Sequence, residues 1–353
     1  MSSLQPGAAV GDRHHIVPKV LLARFANAKG RIRVRNRSTG VSSVRNIGDL
    51  AVRDFYTAVT TNEVLDGRLE AILSEVEGAM ATILRERIEA RAFVKQRPFT
   101  AQERFVIDTF VSMQYVRGMR VRRTMEIVND YGMKLVNQGR LTPDDIETLD
   151  IVPHPNDHLR MFGPLSQQAH EYLAPRPLVV VYLDQPLLFI GDEPVVMSAD
   201  LPLPSIDPEG LPNVSGPGID PRDIIQLQSN RGVGFATADE ILLAVSPTTV
   251  LAFGPTGQCW DASSVRMCGE EASAAAAEHN SLVLDASVDW VAAHPDHPTF
   301  ASMPMPEAKP IVRISDGASA PGRRANSTTV RRPINRLRAS DVHDVQVNSG
   351  GRP

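Results

Sequence analysis

Two long stretches of helical period stand before a series of short β-type segments, and this order constrains the chain more than any other feature. Between Val64 and Ala92, Leu65, Leu69, Ile72, Val76, Met80 and Ile83 recur at three- and four-residue steps, while Glu70, Glu75 and Glu77 fall on other faces. Pro98 interrupts. Thr100 then opens a second helix, with Glu103 placed to complete a capping box. That helix is expected to run through FVIDTFVSMQYVRGMRVRRTMEIV, with Gly118 its weak interior point. After Pro177 the texture changes to LVVVYL, PLLFI, EPVVM, ILLAV and TVLAF, separated by Pro-, Gly- and Asp-containing turns. A further helix, EEASAAAAEHNSLVLDA, precedes strand-like DWVAA. Helices first and strands later predict an α+β fold, its N-terminal helical part packed on a C-terminal, mostly antiparallel sheet.

The expected organisation is a flexible N-terminus (1–11), one principal α+β domain (12–303) and a basic, disordered tail (304–353) in which Pro, Ser, Gly and Arg replace any apolar period. LPLPSIDPEGLPNVSGPGIDP reads as a long loop. The most apolar stretch, Leu178 to Ile190, is broken by Asp184, Gln185 and Pro186, so no membrane span is expected. The start carries no secretory signal, and Cys259 and Cys268 are too few for a disulfide framework; a reduced, cytoplasmic setting fits. The net charge of −4 conceals two basic ends, with residues 1–53 at +8 and residues 304–353 at +5. Such ends suit a phosphate-rich partner, or are solvated arms.

Near the start, RIRVRNR alternates Ile32 and Val34 with Arg31, Arg33, Arg35 and Arg37, the period of a half-buried strand with VSSVRNI as its return. The arginine face is either exposed or a phosphate contact. Just before it, DRHHIVPK places His14 and His15 ahead of Pro18, which suits the first turn of a helix. Adjacent residues on an extended segment point to opposite sides, so one histidine serves a site and the other the structure, or both clasp the helix entry. Gln114 and Arg117 lie three apart on the capped helix and share an otherwise apolar face. Arg117 can clamp a carboxylate or phosphate, or pair with a structural acid such as Asp192. Asp192 itself, in Gly-Asp-Glu-Pro, is a turn cap, a base, or the partner of an imidazolium. The pairs His154/His158 and His294/His297 have chelating spacing but no third ligand nearby, so no metal site is assigned.

HHIVPKVLLARFA, FVSMQYVRGMR, LFIGDEPVV, ILLAVSPTTVLAF and a helix carrying His279-Asn280 follow one another in an order that resembles the bacterial domain of unknown function 4238 family. That resemblance covers roughly residues 12–295 and implies an N-terminal His-His-x-Val-Pro, a helix with Gln-x-x-Arg, a Ser-Asp-x-Pro strand turn and a late Asn-bearing helix. Here Gly191-Asp192-Glu193-Pro194 and Ala244-Val245-Ser246-Pro247 replace two of the family's turns, keeping Asp192 and Pro247. The resemblance supplies a fold neighbourhood and places Asn280 beside the other candidates.

The expected site joins His14 or His15 with Gln114, Arg117, Asp192 and Asn280. Histidine would activate water, Asp192 orient it, and Arg117 steady developing negative charge, a set fit for hydrolysis of a phosphate- or carboxylate-bearing substrate. The alternative is a non-catalytic module of a defence or regulatory system that holds a nucleotide or nucleic acid on its basic face. The sequence names no cofactor, and its ligand is either a small molecule or a nucleic acid.

Overall fold

The computed structural model describes residues 14–53, 58–59, 65–91, 97–137, 149–152, 155–199, 226–229, 234–258, 263–306, 312–315 and 335–338. The N-terminal eleven residues, the Pro-rich segment 201–221 and most of the tail lie outside these. The chain divides into two compact units. One comprises Met1–Met119, Met161–Leu201 and Val233–Lys309, the other Arg120–Arg160, Pro202–Gly232 and Pro310–Pro353.

In the first unit, helix α1 (Lys19–Phe25) starts directly after Pro18 and buries Leu21, Leu22 and Phe25. Arg31–Asn36 and Ser42–Asn46 form the expected hairpin. Its inner strand pairs with Trp290–Ala293, which pairs in turn with Ile190–Gly191, giving a four-stranded antiparallel sheet. A second, five-stranded sheet runs in the order Val195–Ser198, Glu240–Ser246, Thr249–Phe253, Leu178–Leu183, Ser264–Met267. Only the last pair is parallel. Helices and two mostly antiparallel sheets make the fold α+β, as the order of patterns predicts.

Helix α2 (Arg68–Ile83) runs on into a π-turn, Leu84–Ile88, and a 3₁₀ turn, Glu89–Arg91. Its buried residues are Leu73, Met80 and Ile83, whereas Ile72 is 42% exposed. Met80 and Ile83 of the expected stripe are buried, and Leu73 takes the core position expected of Ile72. Leu65, from which that stripe was counted, belongs to a two-residue strand and not to the helix.

Helix α3 (Ala101–Arg117) begins with the capping box: Thr100 Oγ1 accepts from Glu103 N–H, and Glu103 accepts from Thr100 N–H at 2.8 Å. Contrary to expectation it stops at Arg117, and a separate helix α4 (Met119–Val136) follows. Gly118, with ψ near 151°, leaves the helical region. The backbone also comes close to a partner here: a Cβ at Gly118 would lie 2.1 Å from Oε2 of the buried Glu193. Helix α5 (Pro155–Leu173) carries Pro164 in its interior, and helix α6 (Gly269–Ala286) matches the expected late helix.

In the second unit, Asn129 and Asp130 tie α4 to the backbone of Ile151. Two small pairings complete it: Leu149–Val152 with Asn335–Arg338, and Gln226–Ser229 with Val312–Ser315. Two stretches of the basic tail are thus paired as strands.

Candidate functional site

The His-His arm enters the first unit as a short strand, His14 opposite Arg53 and His15 opposite Val52. The alternation separates the two rings: His14 is buried at 1% exposure, His15 half-buried. The next residue, Ile16, donates its N–H to the carbonyl of Ala51 at 2.9 Å. Ala51 adopts φ +60°, a left-handed conformation that costs a residue with a Cβ about 1 kcal/mol. The arm is held from its other side by α3, where Gln114 Nε2 donates to the Ile16 carbonyl at 2.9 Å. Because only the amide nitrogen can donate there, Gln114 Oε1 is fixed in the opposite direction, buried and without a partner.

His15 lies within electrostatic reach of Arg117. Burial lowers its pKa, Lys19 and Arg117 lower it further, and the carbonyls of Gly48 and Ile47 pull back. Nε2 is buried with no hydrogen-bond partner, so those carbonyls are served by Nδ1–H. Burial and the two cations thus favour the neutral ring, and a donor at Nδ1 would leave the lone pair on Nε2.

Arg117 is 3% exposed. Its Nη1 bonds Glu77, and its Nη2 stands 3.9 Å from Glu70 Oε2. Burial raises the Glu77 pKa; the charge and hydrogen bond of Arg117 lower it, and Glu70 adds to the rise. Glu70 and Glu77 lie seven apart on α2 and so share a face, a signal that was present in the sequence but did not single them out. A small cleft is lined by Pro18, Leu73, Val76 and Phe110 on its apolar side and by Glu77, Gln114 and Arg117 on its polar one.

Asp192 has different company. It is fully buried, and its carboxylate accepts from three successive backbone amides: Val288 at 2.9 Å, Asp289 at 2.5 Å and Trp290 at 3.4 Å. Burial raises its pKa to about 6, the three amides oppose the rise, and Asp289 adds to it. The cation that acts with it is Arg37, which burial lowers and Asp192 and Asp285 raise. Its neighbours in the turn are equally committed. Gly191 leaves room for Ser287, whose Oγ would lie 2.0 Å from a Cβ there, and Glu193 fills the space beside Gly118. Every residue of Gly191-Asp192-Glu193-Pro194 is buried.

Asn280 on α6 clamps a strand entry, accepting from Phe189 N–H and donating to the Leu187 carbonyl, both at 2.8 Å. His297 receives Phe300 N–H on Nδ1, and its Nε2 lies 3.1 Å from the Leu187 carbonyl. The arginine face of Arg31–Asn36 is neither bare nor turned to solvent beyond Arg31. Arg33 donates to the carbonyl of Pro295, Arg35 to those of Phe300 and Met303, and Arg37 to that of Pro306. The expectation of an exposed strand face is corrected: the guanidiniums hold the returning segment 295–306 against the sheet.

Of the residues expected to converge, Gln114 and Arg117 meet at the cleft together with Glu77, while His15 lies outside its lining within electrostatic reach of Arg117, and Glu70 stands against Arg117 from α2. Asp192 is bound to the 288–290 amides and Asn280 to residues 187–189. Among the described residues no three His, Cys, Asp or Glu side chains form a metal-binding group, and no helix is long and apolar enough to cross a membrane.

The arm, the Gln-x-x-Arg helix, the Asp turn and the Asn-bearing helix all fall within one stretch that a single family model covers. The model of that family, described as a protein of unknown function (DUF4238), matches residues 13–297, and the chain belongs to it. No curated protein and no solved structure matches.

Proposed function

We propose that the protein is a hydrolase whose general base is His15, working beside the Arg117–Glu77 pair. The observation that carries this reading is the state of the His15 ring: Nδ1–H engaged by backbone carbonyls, Nε2 bare, and a pKa held below the ordinary value by burial and two cations. A backbone acceptor on one ring nitrogen fixes the tautomer that lets the other take a proton from water. Glu77, whose pKa burial raises and Arg117 lowers, is the carboxylate that stands beside the guanidinium. Arg117 orients Glu77 and stabilises charge that develops on the substrate. Asp192 in this reading is a positioning residue that holds the 288–290 turn, and Asn280 a clamp between α6 and the sheet.

The phosphate- or carboxylate-bearing substrate expected from the sequence requires Arg117 to exchange Glu77 for the incoming anion. The alternative nucleic-acid reading requires cations other than Arg33, Arg35 and Arg37, which are engaged with carbonyls.

The test is a panel of chromogenic phosphate esters, carboxylic esters and amides, assayed with wild type, His14→Ala and His15→Gln. Any hydrolysis should vanish in His15→Gln with little change in melting temperature, and fall at low pH as His15 gains its proton. His14→Ala should act mainly on stability. Turnover that survives His15→Gln, or equal losses of melting temperature in both variants, would make the histidine pair a structural clasp.

A further inference from the structure

Residues 294–306 follow the strand Trp290–Ala293 and, among the described residues, make no main-chain hydrogen bond outside their own stretch. Side chains hold them. Arg33 donates to the Pro295 carbonyl, Arg35 to those of Phe300 and Met303, Arg37 to that of Pro306, and the stretch's own His297 reaches the Leu187 carbonyl. Arginine keeps its charge near neutral pH, so among these attachments only His297 titrates. Its surroundings fix its state. Main-chain N–H groups can only donate, and those of Phe300 (3.2 Å) and Thr299 (3.4 Å) point at Nδ1, which must carry the lone pair. The Leu187 carbonyl can only accept, and it lies 3.1 Å from Nε2, which must carry the proton. A second proton, on Nδ1, would meet the Phe300 and Thr299 donors head on, and the turn would have to break to hold it.

The charged groups around the ring do not favour that proton. Arg33 and Arg35 approach from the first hairpin, His294 and the solvent-exposed Asp296 flank it in sequence, and residues 187–189 carry no ionisable side chain. Helix α6 presents Asn280, which shares the Leu187 carbonyl, next to the buried His279. Beneath the stretch, Phe300 is fully buried edge-on to Phe189 at 4.8 Å, and Met303 and Met305 pack on the cluster that holds Phe189, Val291 and Ala293. We infer that residues 294–306 are an acid-released strap, latched over the Phe189 surface by the neutral His297 ring and let go when Nδ1 is protonated. Opening uncovers Phe189 and its neighbours while the strands beneath stay paired. Burial lowers the His297 pKa from 6.5, and the Leu187 bond opposes the shift. The latch is therefore fully present above about pH 6.5 and is lost as pH falls towards the latched pKa. Between these limits each unit of pH raises the opening constant by up to about tenfold.

The test is amide hydrogen exchange of the full chain from pH 4.5 to pH 7.5, corrected for the intrinsic rate, with the strap compared to the central strand Thr249–Phe253. In wild type the protection of the Thr299, Phe300 and Met303 amides should fall by up to about tenfold per pH unit below pH 6.5, while the central strand keeps its protection. His297→Asn puts an oxygen where Nδ1 stands, accepts from Phe300 N–H and does not titrate, so its strap should show no such slope. His294→Ala should keep the wild-type slope. A flat wild-type profile, a slope that persists in His297→Asn or vanishes in His294→Ala, or loss of protection in the central strand at the same pH would each overturn the inference. Should His297→Asn not fold, ¹⁵N NMR of the wild-type ring decides. An Nε2–H tautomer at pH 7 that takes its second proton in step with strap opening supports the latch; an Nδ1–H tautomer, or opening out of step with ring protonation, overturns it.

Discussion

Replacing Asp192 by Asn separates a buried structural carboxylate from a catalytic one through the pH dependence of stability. In the folded protein the carboxyl pKa is pushed up to about 6, from an ordinary value of 3.8, because burial outweighs its three amide bonds. The folded state therefore holds this proton more tightly than the unfolded state. The stabilisation is fully present below about pH 4 and is lost as pH rises through about 6. A displacement of this size corresponds to about 3 kcal/mol. His279 acts in the opposite sense over nearly the same window. It is buried, and burial lowers its pKa to about 4 against a smaller opposing effect of Asn280. Its contribution is present above about 6.5 and lost as pH falls towards 4, so the wild-type profile alone mixes the two. The difference between wild type and Asp192→Asn isolates the carboxylate. Urea denaturation of both proteins at intervals from pH 4 to pH 7.5 should show wild type losing about 3 kcal/mol relative to the variant across the window. Any absolute offset reports the amides at 288–290, which an Asn side chain can only partly satisfy. A difference that stays flat with pH would refute the reasoning, because the carboxylate would then be as well solvated when folded as when unfolded.

Gly118→Ala should destabilise by about 1–3 kcal/mol, because the added methyl meets the Glu193 carboxylate at 2.1 Å; an unchanged melting temperature would show that Glu193 swings away freely. Arg35→Met removes the guanidinium that binds the Phe300 and Met303 carbonyls, and should make the 295–306 segment the first site cut in limited proteolysis, with wild type resistant there.

Features written in local sequence were legible, and features set by distant partners were not. The capping box at Thr100 and Glu103 needs only residues three apart, and it fixes the start of α3 correctly. Gly118 is a break between two helices and not a weak point inside one, and the partner that packs against it, Glu193, is remote in sequence. Arg33, Arg35 and Arg37 show strand alternation, but their acceptors are main-chain carbonyls of residues 295–306, and carbonyls leave no mark in a sequence. The same holds for Asp192: its residue type announced a capped turn, while the amides it caps belong to another strand's approach. The group of polar residues around Arg117 was half visible. His15, Gln114 and Arg117 stood out as polar residues on apolar elements, whereas Glu70 and Glu77 looked like the solvated face of α2. Ile72 and Leu73 are adjacent apolar residues, and period alone does not decide which of the two faces the core.

The state of the His15 ring can be read directly by ¹⁵N NMR of selectively labelled histidine, assigned with His15→Gln. At pH 7 the ring should be the neutral Nδ1–H tautomer, with an unprotonated Nε2, and it should take up its second proton only below the ordinary histidine pKa of about 6.5. An imidazolium at neutral pH, or a ring carrying its proton on Nε2, would leave no lone pair on Nε2 and would contradict His15 as the base.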